Sequence, residues 1–189
     1  MIQEPLILAS ASPRRKELLS QAGLHFQVIP AEADETVRDG ETPEIHVRRL
    51  ARSKAEKVAQ FFADRLILAA DTVVVLDHEI MGKPEDREDA IRMLTRLSGR
   101  VHRVITAYCL YRPDQGKMVE DQTSTLVEFR DLSPSEITQY IQSGEPMDKA
   151  GAYAIQGVGG SLTRRIEGSY TNVIGLPLAE VLEKMREFR

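Results

Sequence analysis

Residues 66–76 read "LILAADTVVVL". The run is apolar on both alternating sets of positions, apart from Asp71 and Thr72. It is far too short to cross a bilayer, and its second half is β-branched. Such a run predicts a strand buried on both faces, at the centre of a sheet. A carboxylate inside it is costly to bury without a partner. Asp71 is therefore expected at the strand's carboxyl end, where ligand crevices open in α/β sheets.

The flanks supply the layers that would cover this strand. Before it, the spacing predicts a long helix from about Pro43 to Ala63, with Ile45, Leu50, Ala51, Val58 and Phe62 as its apolar stripe. "HFQVIP" (25–30) reads as a strand, followed by an acidic loop, "AEADET". "LILAS" (6–10) is a short buried strand. Ser12 then caps a helix that has Pro13 at its first position and stops at Gly23. After the central strand, "DHE" is a turn, and a helix spans about 84–98 up to Gly99. "RVHRVITAYCLYR" and "KMVEDQTSTLVEFR" predict a strand pair around "PDQG". Ser133, Pro134 and Glu136 form a capping-box start. The stretch 144–175 is glycine-rich and aperiodic, so loops and short strands are expected. Pro177 opens a final helix. Helix and strand alternate early and strands pair as hairpins later, which predicts an α/β fold with a mixed sheet flanked by helices.

Composition narrows the function. The 189 residues suit a single domain, 1–189. Hydrophobic residues are 42% and charged residues 29%, the balance of a globular chain. Lys plus Arg number 25 and Asp plus Glu 29, a net charge of −4, which argues against a nucleic-acid polymer as partner. Trp is absent, so single strands have no stacking platform. The single Cys109 cannot form an internal disulfide and reads as core, in keeping with a reducing compartment. "MIQEPLILAS" has no basic leader region, and no stretch approaches a membrane span. A cytoplasmic protein is the expectation.

Against this acidic background, Arg14, Arg15 and Lys16 crowd the first turn of a helix, the end where the dipole disfavours cations. A phosphate at that end would satisfy the dipole and the guanidinium forks together. The plainer alternative is a solvated surface triplet. There is no "GxxxxGK[ST]" loop. Asp71 has two roles open to it, divalent-cation ligand or acceptor of a proton from water, beside a purely structural one. Glu35 is a second carboxylate for the same cation, or part of a solvated loop. Lys83 and Lys149 flank glycines, Lys54 lies on the long helix, and Gln156 in "AIQGVGGS" has the amide donor and acceptor to read a base edge. His25, His46, His78 and His102 are scattered and receive no role.

Seven blocks occur in a fixed order: "LASASPRRKELL", "LARSKAEKVA", "ILAADTVV", "GKP", "MLTRLSGRVHRVITA", "GEPMDKAGAYAIQG" and "GSYTNVIGLP". Together they resemble the Maf family of nucleoside triphosphate pyrophosphatases from end to end. The resemblance implies a fold similar to inosine-triphosphate pyrophosphatases, with two lobes and a cleft. It implies hydrolysis of a nucleoside triphosphate to monophosphate and pyrophosphate with a divalent cation, Mg²⁺ or Mn²⁺. The "ADT" and "AIQG" blocks look like the dTTP and UTP branch, not the sister branch acting on 7-methyl-GTP.

Carried over, Asp71 is the proton acceptor, and Arg14, Thr72 and Gln156 are tied to substrate choice. Ser10, Arg15, Glu35, Lys54 and Lys83 match other polar positions of the site. Ala70 and Ala154 depart from the glycines of many members, and the second adds a methyl near the base pocket. House-cleaning of modified nucleotides and a nucleotide-binding regulator of septum formation are the competing purposes. The partners to consider are the triphosphate and a second copy of the chain in a homodimer, with no membrane.

Overall fold

The computed structural model describes residues 6–188. The leader reading of residues 1–5 lies outside them. Strand β1 (Leu6–Leu8) leads into helix α1 (Pro13–Gln21), where the Ser12 hydroxyl accepts the Arg15 N–H at 3.4 Å. Strand β2 (Phe26–Val28) follows, then helix α2 (Pro43–Ala59) behind its Thr42 cap. Strands β3 (Ile67–Leu76) and β4 (Glu79–Met81) form a hairpin, and helix α3 (Arg87–Leu97) starts at the Asp86 cap. Strands β5 (Val101–Arg112) and β6 (Lys117–Phe129) form the long hairpin. Helix α4 (Pro134–Gln142) carries the expected capping box of Ser133 and Glu136. After three short 3₁₀ segments come β7 (Thr163–Glu167), α5 (Tyr170–Ile174) and α6 (Leu178–Met185).

The seven described strands form one mixed sheet in the order β2-β1-β3-β5-β6-β7, with β4 also on β3. β1 pairs parallel with β2 and β3; the β4, β5, β6 and β7 pairings are antiparallel. β5 lines one edge of β3 from Ile67 to Val75. The other edge is shared: β1 pairs at Ile67 and Leu68, β4 at Val74 to Leu76. No described strand pairs with residues 69–73 there. The sheet therefore forks, and the fork separates two lobes.

Three apolar clusters cover the sheet. α2 packs Val47, Ala51, Ala55 and Val58 on the face carrying Ile67, Ala69 and Val73. On the opposite face, Leu18, Leu19 and Val181 cover Leu68 and Ala70, while Leu94, Leu97 and Ile137 cover Val74 and Leu76. Both faces of β3 are thus buried, as its composition predicts.

Several local expectations need correction. α2 ends at Ala59, short of Ala63, and Ile45 is exposed because it sits in the first turn, off the sheet-facing stripe. α3 begins at Arg87, since Asp86 and not the Lys83–Pro84 region provides the cap. The "DHE" turn is tight enough to give a strand on its far side: Asp77 and His78 both take positive φ (51° and 71°), as a two-residue hairpin turn demands. α5 was hidden in the glycine-rich stretch. Its cap is Ser169, and its single turn is too short to show a period.

His102 on β5 is buried against Phe129 and Tyr153, with its Nε2 2.7 Å from the Tyr153 hydroxyl and its Nδ1 unpartnered. Burial pulls its pKa from 6.5 down to about 4. Between those values the unfolded chain binds the proton and the folded one does not, so stability rises with pH across that window. Acidification from pH 7 to below 4 should remove about 3 kcal/mol through this residue. Urea unfolding of wild type and His102→Gln across pH 4–7 checks this: the substitution should flatten the acid limb, and equal slopes would refute it.

Candidate active site

A cleft of about 930 Å³ opens at the fork. Its wall includes Ser10, Arg14, Arg15, Glu35, Lys54, Asp71, Thr72, Lys83 and Gln156, so every residue singled out as a site candidate reaches the same space. Asp71 lies in the middle of β3, not at its carboxyl end as expected, and the fork is what opens the strand there. Strand side chains alternate in direction, so Asp71 faces α2 and Thr72 faces the opposite layer. The Ala9 N–H donates to the Leu68 carbonyl on the β1 edge. By the same alternation, the main-chain groups of Ala70 and Thr72 point along that edge, where the fork provides no strand.

On the α2 side, Lys54 Nζ donates to Asp71 Oδ1 at 2.6 Å, and both side chains are about nine-tenths buried. Glu35 Oε1 stands 3.8 Å from the same ammonium, in the exposed loop before α2. Two carboxylates thus converge on one cation. Among the described residues no group of three or more metal-ligating side chains of the His, Cys, Asp and Glu type occurs.

On the other side, Arg15 is buried and three of its nitrogens are engaged. Nε donates to the Gly175 carbonyl at 2.7 Å, one terminal nitrogen to Ser10 Oγ at 3.1 Å and the other to Thr72 Oγ1 at 3.0 Å. Thr72 Oγ1 lies 2.9 Å from Thr106 Oγ1, which donates to the Asn172 carbonyl. Burial lowers the Arg15 pKa, while the charge of Asp71 acts in the opposite sense. The basic triplet thus divides three ways. Arg15 is a fixed cation, Lys16 faces solvent, and Arg14 is half-buried on the cleft wall with no described partner.

The helix end itself offers fewer donors than the sequence suggested. Pro13 has none, Arg15 N–H goes to Ser12 Oγ, Lys16 N–H to the Ser12 carbonyl, and Ser12 N–H to Ser10 Oγ. In that turn the Arg14 N–H is left. Lys83 is exposed and Gln156 half-buried, both without side-chain bonds among the described residues. Arg14, Arg15 and Lys83 have no carboxylate partner among the described residues, although the chain as a whole is acidic. Of the two alanines that depart from glycine, Ala154 lines the cleft, whereas the Ala70 methyl is buried in the core beside Tyr108.

The sequence pattern that defines Maf-like proteins matches residues 5–188. The chain belongs to the Maf-like protein family. A curated Maf-like relative from Geotalea uraniireducens (strain Rf4), named dTTP/UTP pyrophosphatase, is 52% identical over 181 residues, covering 96% of this chain and 93% of that protein. Relatives of the same name are 50% identical in Syntrophus aciditrophicus (strain SB), covering 99% and 91%, and 46% identical in Aquifex aeolicus (strain VF5), covering 96% and 94%. Among solved structures, a HAM1 protein from Coxiella burnetii matches with a TM-score of 0.56 at 16% identity, covering 97% of this chain and 98% of that one. That likeness concerns the fold.

The Maf-like cleft also contains groups beyond those site candidates. His46 lies two helical turns before Lys54 on the same face of α2. Its Nδ1 is 3.0 Å from Glu41 Oε2. Helical spacing could have suggested it, but a lone histidine carries no signal by itself. Lys149 lines the wall while bonded to the Glu145 carbonyl and paired with Asp148. The Gly175 carbonyl acts through its main chain, which no side-chain motif reveals. Among the described residues of this Maf-like chain no helix is long and apolar enough to cross a membrane.

Arg15→Lys tests the buried network. One ammonium cannot reproduce the planar fork, so acceptors at Gly175, Ser10 and Thr72 lose donors. The variant should unfold about 2 kcal/mol more easily, within the range for a buried polar group left short of a partner. Urea titration checks this, and an unchanged midpoint and slope would show that the fork is dispensable.

Proposed function

We propose that the cleft hydrolyses dTTP and UTP to the nucleoside monophosphate and pyrophosphate. The observation that carries the reading is the buried Asp71–Lys54 pair at the fork, in one cleft with cations that have no carboxylate partner among the described residues. The name shared by relatives about half identical over nearly the whole chain supports the substrate.

The triphosphate repels an incoming nucleophile, so charge neutralisation comes first. Arg14 and Lys83 are free to meet phosphate oxygens, and Arg15 holds positive charge behind them. Water near Asp71 attacks the α-phosphorus as its proton passes to the carboxylate. The bond from the α-phosphorus to the α,β-bridging oxygen breaks, and pyrophosphate leaves with the electron pair. Lys54 holds Asp71 in place at 2.6 Å.

The donor set fits a hard cation. Mg²⁺ is typically held by one or two carboxylates with phosphate oxygens and water completing the shell, and Asp71 and Glu35 are such a pair. When bound with the triphosphate, Mg²⁺ or Mn²⁺ supplies Lewis acidity and charge neutralisation. Gln156 reads the 4-keto and N3–H edge of thymine and uracil with its amide. A cytoplasmic location and a homodimer belong to the same proposal.

Asp71→Asn should cut kcat by ~10²–10⁴-fold while nucleotide Kd stays near wild type. A rate within threefold of wild type would make Asp71 structural. Turnover in H₂¹⁸O should label the monophosphate; label in pyrophosphate would place the attack elsewhere. Across dTTP, UTP, CTP and ATP, the first two should have the highest kcat/KM, and chelation of divalent cations should abolish turnover. Tight binding without turnover of any of the four would favour a nucleotide-binding regulator instead.

A further inference from the structure

Gln156 caps a glycine-rich 3₁₀ segment, Gly157–Leu162, and its neighbour Ile155 packs against the core. One carboxylate ties the residues after Gln156 directly and Ala154 before it through Tyr140. Glu145 Oε1 accepts from the Gly159 N–H at 3.0 Å, and Oε2 accepts from the Val158 N–H at 3.1 Å. The Tyr140 hydroxyl donates to Oε1 at 2.8 Å and in turn accepts the Ala154 N–H at 3.2 Å. Ile155, Gln156 and Gly157 are therefore bracketed between anchors that meet at one side chain.

The glycines make room for this arrangement. Gly157 has φ +75°, and a Cβ there would stand 2.6 Å from Glu145 Oε2. A Cβ on Gly159 would collide with the Ala154 carbonyl and the Tyr140 hydroxyl. Successive main-chain N–H groups in such a turn make a concave anion seat. Here the chain's own carboxylate occupies it. Glu145 stands outside the residues that line the cleft, so its carboxylate acts on a bound base through the segment it holds.

We propose that Glu145, relayed in part by Tyr140, is the positioning residue that sets the direction of the Gln156 amide and thereby the selection of the pyrimidine base. This rests on Gln156 reading the base edge, as argued above. An amide selects thymine and uracil over cytosine only while its flip and tilt are fixed, because a rotated amide presents the reverse pattern of donor and acceptor. Asp71, Lys54 and Arg15 belong to other elements and do not depend on Glu145.

The test is a double-mutant cycle on the full chain, read as kcat/KM for dTTP over kcat/KM for CTP. Glu145→Gln is close in shape and removes the charge and one acceptor. It should lower the ratio about tenfold through KM, with kcat for saturating dTTP within about threefold of wild type. Gln156→Ala should lower the ratio as well, and adding Glu145→Gln to it should lower it little further. A wild-type ratio in Glu145→Gln beside a lowered one in Gln156→Ala overturns the proposal and leaves the base reading intact. Effects that multiply in the double variant also overturn it, since Glu145 would then act apart from Gln156. No effect of Gln156→Ala overturns both the base reading and the proposal. If Glu145→Gln does not fold, as judged by thermal melting, Tyr140→Phe takes its place in the cycle. It cuts the link to Ala154 and one bond to Glu145, and an unchanged ratio overturns the proposal.

Discussion

Five residues of β3, from Ala69 to Val73, have a strand along one edge and no described strand along the other. A buried central strand ordinarily satisfies its main chain on both sides, and an open edge is a liability that proteins cover or occupy. Here β1 leaves the ladder after Leu8 and β4 joins only at Val74. The cleft is the space between them. Everything assigned to the site depends on that fork, because it is where a doubly buried strand can show a carboxylate and a hydroxyl to one cavity without exposing its apolar neighbours.

The two faces of β3 then divide the labour. Asp71 is held by a charge from α2, through Lys54. Thr72 is held by a largely uncharged network that ends on main-chain carbonyls at Asn172 and Gly175 and includes the buried Arg15. Placing a guanidinium against neutral acceptors leaves its charge uncancelled by any direct ion pair. That arrangement suits attraction of a polyanion better than an arginine–carboxylate bridge, whose field largely vanishes at a distance. An acidic chain can thus attract triphosphate, provided its positive charge is concentrated at one end of one sheet.

Much of this was readable from residue order. The apolar run at 66–76 marked the central strand, Ser12–Pro13 and Ser133–Glu136 marked helix starts, and the blocks containing Arg14, Lys54, Asp71 and Gln156 marked a common site. The rest was not, for physical reasons. β4 and α5 are too short for periodicity to register. Ile45 fits the spacing of a stripe, yet only tertiary packing decides which face of the first turn meets the sheet. The basic triplet looked like one feature, whereas position within a single helical turn gives its members three different environments. The Glu145 anchor was invisible because two of its three partners are main-chain N–H groups, which every residue other than proline possesses.

The residues of the site also differ in how much order they bring to it. Arg15, Lys54, Asp71, Ser10 and Thr72 are fixed by bonds to the protein before any ligand arrives. Their side-chain entropy was already lost in folding, so it does not weaken binding, and groups held in place stabilise developing charge without reorganising. Arg14, Lys83 and Gln156 have no side-chain bonds among the described residues. A long cation that wraps a phosphate can tolerate such freedom, because its attraction depends weakly on angle. An amide that must distinguish one base edge from its mirror pattern cannot, since rotation about a single torsion exchanges donor for acceptor. In the segment carrying Gln156, Ile155 packs against the core, and hydrogen bonds from the main chain of Ala154, Val158 and Gly159 add order on both sides of the amide. Glu145, which accepts from Val158 and Gly159 and reaches Ala154 through Tyr140, therefore sits behind the segment proposed to read the base, and not behind Arg14 and Lys83.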